Sequence, residues 1–145
     1  MIRVHHLENS RSQRVLWLLE ELGQPYQVVR YARDPKTMLA PRELREVHPL
    51  GKAPIVELEG RRLVESGAII EALIGRFDAD HAISPAPADE DERLRYRQWL
   101  HYAEGSAMPP LLLSLVFARL RSAPMPFFVK PVARGIADKV TQTFI

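Results

Sequence analysis

Apolar positions along the first half of the chain switch between two periods, and the switches outline a fold. Residues 2–7 form a short apolar run carrying two histidines, and residues 10–23 then place Val15, Leu18, Leu19 and Leu22 at the spacing of an amphipathic helix. Gly23 and Pro25 close that helix, one as a left-handed cap and the other as a breaker. Loose alternation over 26–31 predicts a second strand, so the opening unit is β-α-β. A polar stretch with a short helical piece at 43–47 leads to a third strand at 55–58. The Glu59-Gly60 turn folds this strand back, antiparallel, onto a fourth at 62–64. Ser66 then opens a helix whose apolar positions are Ile69, Ile70, Leu73, Ile74 and Phe77. The pattern thus predicts a β-α-β-α-β-β-α domain over 1–77.

Residues 78–88 (DADHAISPAPA) lose all periodicity, which predicts an interdomain linker. From 89 to 145 the chain reads as a partial, all-α domain. Asp89, Glu90, Asp91 and Glu92 crowd the first turn of a helix, where carboxylates oppose its positive end. That helix runs to about Arg121, with a kink expected at Pro109-Pro110, since proline removes a donor and crowds the preceding turn. A second helix is expected from about Pro126 to Ile145. The apolar stretch at 109–118 begins with two prolines and falls well short of the roughly 20 residues that cross a bilayer, so no membrane partner is expected.

Charge and cysteine content narrow the chemistry. Lys and Arg number 20 against 18 Asp and Glu, a net charge of +2, too balanced for a phosphate-neutralising surface, and no nucleic-acid partner is expected. There is no cysteine, hence no disulfide scaffold, thiolate metal site or dithiol motif. Any thiol chemistry must use a borrowed thiol. Residues 1–7 lack the features of a secretory leader, so a cytoplasmic location is expected.

Four local features could carry chemistry. The loop Asn9-Ser10-Arg11-Ser12 precedes the first helix, whose free amides and positive end can stabilise an anion; Ser10 or Ser12 could equally be a plain cap. The segment His48-Pro49-Leu50-Gly51-Lys52-Ala53-Pro54 enters the third strand, and Ala53-Pro54 could be an ordinary turn. Glu65-Ser66 stands before the third helix. There a hydroxyl and helix amides can bind a carboxylate while Glu65 pairs with an ammonium, which together would read an α-amino acid headgroup; a simple Ser66 cap is the rival reading. Trp99, Tyr102 and Phe117 form an aromatic stripe that fits a core better than a pocket. His5 and His6 are adjacent in a strand and point to opposite faces, so a metal role is not expected.

In order and spacing, SRSQRVLWLLEELG (10–23), HPLGKAP (48–54) and ESGAI (65–69) resemble the three signature stretches of the N-terminal domain of glutathione S-transferases, closest in flavour to the bacterial and fungal enzymes. The helical stretch WLHYAEGSAMPP (99–110) is similar to theirs too. The resemblance implies a thioredoxin-like α/β domain followed by an all-α helical domain, incomplete here, in a homodimer that takes glutathione as co-substrate and a hydrophobic electrophile as partner. It implies that Lys52 approaches the glycyl carboxylate, that the Ala53 backbone pairs with the cysteinyl unit beside a cis Pro54, and that Glu65 and Ser66 hold the γ-glutamyl head. Ser10 would face the thiol as the catalytic residue, with Asn9 and Ser12 as rivals. No metal is implied. A transferase is the expected activity, with glutathione-dependent disulfide or peroxide reduction, or a non-catalytic interaction module, as alternatives.

Overall fold

The computed structural model describes residues 1–122 and 129–144. The chain divides into two compact units, residues 1–93 and 94–145.

The first unit is built on a four-stranded mixed sheet of order β2-β1-β3-β4. Strand β1 (Ile2–Leu7) pairs in parallel with β2 (Tyr26–Tyr31) and antiparallel with β3 (Ile55–Leu58), which pairs antiparallel with β4 (Arg61–Val64). Helices α1 (Ser12–Glu21) and α3 (Ser66–Phe77) pack on one face, and the short α2 (Glu43–Val47) packs on the other. The α1/α3 face holds the larger core: Ile2, Val4 and Val56 meet Val15, Leu19, Ile69 and Leu73. At roughly 1.5–3 kcal/mol for each fully buried aliphatic side chain, this cluster outweighs the one of Leu7, Leu44 and Ile55 under α2. The order, pairing and helix placement are those of a thioredoxin-like domain.

Helix α1 starts at Ser12, two residues later than the hydroxyl-rich loop suggests, and no side chain caps it. Its other end closes as the glycine demands. Gly23 sits at φ +60, its amide bonds to the Glu20 carbonyl at 3.0 Å, and the Gln24 amide bonds to the Leu19 carbonyl at 3.0 Å, a Schellman cap. Along α3 only Ser66, Ile69 and Leu73 are buried, while Ile70, Ile74 and Phe77 are half-buried.

Residues 78–88 lie wholly within the first unit, and their first half is held by hydrogen bonds. The Asp78 carboxylate accepts from the amides of Ala82 (2.9 Å), Ile83 (3.3 Å) and Ser84 (2.8 Å) and from the Ser84 hydroxyl (2.6 Å). The Ser84 hydroxyl and these amides hold the Asp78 carboxyl below its ordinary value despite some desolvation. A side chain folding back on its own loop in this way leaves no periodic trace in the sequence.

Helix α4 (Glu90–Tyr102) opens with the Asp89 carboxylate accepting the Glu92 amide at 2.9 Å, an N-cap. Within the second unit, a π-helical turn (Ala103–Ala107) leads into α5 (Met108–Ser122), and α6 (Lys130–Phe144) follows. The two prolines thus act one turn upstream: the Met108 amide reaches the Ala103 carbonyl, an i to i+5 bond that widens the helix ahead of Pro109. The expected helix start near Pro126 lies outside the described residues. Trp99 and Tyr102 meet edge to face at 5.4 Å but are 64% and 49% exposed, so they are not core as their spacing suggested. No helix among the described residues is long and apolar enough to cross a membrane.

Candidate functional site

Strand register gathers three of the four sequence features at one end of the sheet. His5 lies opposite Ile55, and Ile55 lies opposite Val64. The end of β1, the start of β3 and the end of β4 are therefore neighbours, and so are the segments attached to them: 8–12, 51–54 and 65–66. Each segment has a backbone irregularity where it meets this edge. Asn9 is left-handed at φ 48, Gly51 at φ 57 and Glu65 at φ 69, and the Ala53-Pro54 peptide is cis, as the resemblance implied.

The loop after β1 is held from outside by Arg33. Its guanidinium donates from Nε to the Glu8 carbonyl (3.0 Å), from Nη2 to the Asn9 carbonyl (3.2 Å) and from Nη1 to the Met38 carbonyl (2.9 Å), while its amide donates to the Glu8 carboxylate (3.1 Å). A rigid fork of donors suits three carbonyls better than a lysine would. Asn9 is exposed, Ser10 is partly buried, and Ser12 is fully buried. The Ser12 hydroxyl sits 2.8 Å from His6 Nδ1, 2.7 Å from the Ser10 hydroxyl and 3.3 Å from the Leu7 carbonyl, and the Ser12 amide donates to Ser10 Oγ at 3.2 Å. Neither Arg33 nor His6 stood out in the sequence as a site residue.

On the second segment, Lys52 is exposed, Ala53 is half-buried against the α2 cluster and Pro54 is buried. The loop is braced by the Gly51 amide on the His48 carbonyl (2.8 Å) and by the Leu50 amide on His48 Nδ1 (3.3 Å). On the third segment, Glu65 is exposed at φ 69, ψ 122, a conformation in which a residue with a Cβ is strained. It sets the start of α3 so that Ser66 is the first helical residue, only 4% exposed. The free amides of that first turn open toward the same sheet end.

A second cluster lies on β1's other face. His5 is buried, its Nδ1 2.9 Å from the Tyr31 hydroxyl and its Nε2 3.6 Å from Glu57, too long for a good hydrogen bond. Desolvation pushes the His5 imidazole below its ordinary value, and the nearby Glu57 only partly offsets this. A cavity of about 290 Å³ also lies away from the three segments, among Met1, Arg3, Glu57, Gly60, Arg61 and Arg62 at the opposite end of the sheet. There Arg3 and Arg62 are held by Glu57 at 3.0 and 3.2 Å.

The mixed sheet, the cis proline entering β3 and the helix starts on either side of it define a thioredoxin-like domain. Within that class the relatives are specific. Residues 10–74 match the family model of the glutathione S-transferase N-terminal domain. The chain is 37% identical to glutathione S-transferase 1 of Saccharomyces cerevisiae over 150 residues, covering 99% of this chain and 63% of that protein. It is 35% identical to glutathione S-transferase 3 of Schizosaccharomyces pombe, covering 100% of this chain and 58% of that protein. Among solved structures, a glutathione S-transferase from Actinobacillus pleuropneumoniae aligns with TM-score 0.70 at 31% identity, over 99% of this chain and 64% of its own. The glutathione transferase URE2P8 of Phanerochaete chrysosporium, solved with oxidized glutathione, shares the fold at TM-score 0.72 and 19% identity, over 98% of this chain and 63% of its own. The chain belongs to the glutathione S-transferase family. It spans about 60% of the length of the curated relatives it matches.

Proposed function

We propose that this chain binds glutathione at the sheet end formed by residues 9–12, 52–54 and 65–66, and activates its thiol for attack on a hydrophobic electrophile. The observation that carries the reading is the register-enforced meeting of these three segments, each bringing a group suited to a different part of the tripeptide. Glu65 and the Ser66 hydroxyl, with the α3 amides, take the γ-glutamyl ammonium and carboxylate. Lys52 takes the glycyl carboxylate, and the Ala53 backbone beside Pro54 pairs with the cysteinyl unit in the manner of an added strand. Ser10 faces the sulfur. Its partly buried hydroxyl at the loop's rim favours it over Ser12, whose hydroxyl is buried and bonded on several sides. In this reading residues 1–77 form the glutathione-binding domain, residues 89–145 belong to the helical domain, and the working protein is a cytoplasmic homodimer.

The energetics of activation are modest. A free thiol with pKa about 8.5 is only a few per cent ionised at neutral pH, and lowering that value by about two units requires roughly 2.7 kcal/mol. One hydrogen bond to the thiolate contributes roughly 1.5–3 kcal/mol and a helix end roughly 0.3–1 kcal/mol, so Ser10 and the α1 start suffice together. Ser10 acts as a donor to sulfur and forms no covalent intermediate.

Calorimetric titration with glutathione tests the binding half of the reading, and aryl halide turnover tests the chemical half. Ser66→Ala should weaken binding with little change in turnover of the saturated enzyme, and Ser10→Ala should lower turnover more than affinity. The reverse pattern would exchange the two roles. Faster turnover of a glutathione mixed disulfide than of the aryl halide would favour a reductase, and no binding at millimolar ligand would leave an interaction module.

A further inference from the structure

His6, Ser12 and Ser10 form an unbroken line of short hydrogen bonds from strand β1 to the loop before α1, with contacts of 2.8 and 2.7 Å. Ser10 Oγ also accepts the Ser12 amide at 3.2 Å, which occupies a lone pair and leaves its hydroxyl proton to the line. Each hydroxyl owns a single proton, so the direction of one bond in such a line fixes the direction of the next. When His6 Nδ1 accepts, Ser12 donates to it, Ser10 donates to Ser12, and Ser10 offers only lone pairs at the rim. When Nδ1 carries a proton, both bonds reverse and the Ser10 O–H is free to donate outward. The Leu7 carbonyl, at 3.3 Å from the Ser12 hydroxyl, is the longer competitor. These two states match the two needs of a thiol: an acceptor for S–H before ionisation and a donor to sulfur after it.

We propose that His6 receives the glutathione thiol proton through Ser10 and Ser12; this rests on the assignment of Ser10 to the sulfur. In the step, the S–H bond breaks and its proton passes to Ser10 Oγ while the electron pair stays on sulfur. The original Ser10 proton passes to Ser12 Oγ, and the original Ser12 proton forms a new N–H bond at His6 Nδ1. The products are a thiolate, two neutral hydroxyls now pointing toward it, and an imidazolium, with no proton lost to solvent. Imidazole is the side chain suited to this, since its unprotonated ring nitrogen accepts a proton and becomes a donor in the same place. The neighbouring His5 cannot substitute, because it lies on the other face of the strand and is bonded to Tyr31. His6 touches no substrate and is a positioning residue, while Ser10 is the group at the sulfur.

The test uses the full chain labelled with ¹⁵N-histidine, glutathione, and S-methylglutathione, which has no thiol proton. In the wild type near neutral pH, glutathione should raise the thiolate absorbance and move the His6 nitrogens to imidazolium positions. The protons released to buffer, counted by calorimetry in buffers of different ionisation enthalpy, should be under about one fifth of the thiolate formed. S-methylglutathione should leave the His6 signals unprotonated. His6→Asn keeps a hydrogen-bonding group but cannot hold the proton, so its thiolate should either diminish several-fold or appear with one proton released for each. Ser12→Ala, which cuts the line, should behave likewise. A wild type that releases one proton per thiolate, a His6 that stays neutral, or the same His6 shift with both ligands overturns the relay while leaving glutathione binding intact. A wild type that binds no glutathione overturns the functional reading, and the relay with it.

Discussion

Arg33 holds Asn9 by a hydrogen bond from Nη2 to the Asn9 carbonyl at 3.2 Å, and the same guanidinium reaches the Glu8 and Met38 carbonyls. The left-handed Asn9 is thereby fixed by a residue two positions past the end of β2, the strand that pairs in parallel with its own. Asparagine tolerates this conformation, but tolerance does not select it. The selection comes from the fork.

Arg33→Met should therefore loosen the loop that carries Ser10 without unfolding the domain. The three bonds are partly solvated, so their joint contribution is on the order of 1 kcal/mol. Amide hydrogen exchange at residues 8–12 should accelerate, and glutathione affinity should fall by about fivefold, as about 1 kcal/mol implies. Unchanged exchange in that loop would show that Arg33 is a bystander.

The same loop marks how far the sequence could be read. The periods of Val15 to Leu22 and of residues 55–64 specify a helix and a hairpin, because burial of one face demands those repeats. The three signature segments were legible as candidates, and their convergence follows once His5, Ile55 and Val64 are seen to lie in register. Arg33 was illegible because it binds carbonyls, which every residue possesses, so no side-chain pattern announces the contact. The His6–Ser12 bond was hidden for a related reason: strand alternation predicts which face His6 takes but not where the next loop returns. At Pro109 the sequence located the disturbance and missed its form, since a missing amide can be accommodated by a kink or by a π turn ahead of it.

Gly51→Ala should destabilise the domain. The φ of +57 costs a residue with a Cβ roughly 1–2 kcal/mol, and the new methyl would lie 2.5 Å from Arg45 Cγ, forcing that side chain aside. Arg45 is flexible and exposed, so the backbone sets the larger part of the loss. Urea unfolding should show a loss of unfolding free energy of that size. An equal loss in Gly51→Ala/Arg45→Ala would assign it to the backbone, and full recovery there would assign it to the clash.

Glu65→Gly separates strain from binding. Glycine adopts φ 69, ψ 122 without a Cβ penalty, so relief of about 1 kcal/mol or more should offset its greater chain entropy and leave thermal stability equal or higher. The same change deletes the carboxylate assigned to the γ-glutamyl ammonium, and glutathione affinity should drop at least tenfold. A protein that becomes more stable and still binds normally would remove Glu65 from the site and leave its strained backbone unexplained by function.

His5 should impose a pH dependence on stability that is separable from that of the carboxylates. Desolvation lowers its folded-state pKa from the ordinary 6.5, with the charges of Arg3 and Arg62 adding to the effect and Glu57 opposing it. Between the two values the unfolded chain binds more protons than the folded one, so stability rises with pH there. The contribution is complete above 6.5 and is lost as pH falls from 6.5 toward the lowered value. Glu57 and Asp78, whose carboxyl groups are both held below their ordinary 4.5 and 3.8, lose their contributions only in more acid solution. Urea midpoints measured from pH 7.5 down to about 5 should therefore decline in the wild type and stay flatter in His5→Gln, which keeps a polar group for the Tyr31 hydroxyl. Parallel curves for the two proteins would mean that His5 is accommodated as readily charged as neutral, against the desolvation its burial imposes.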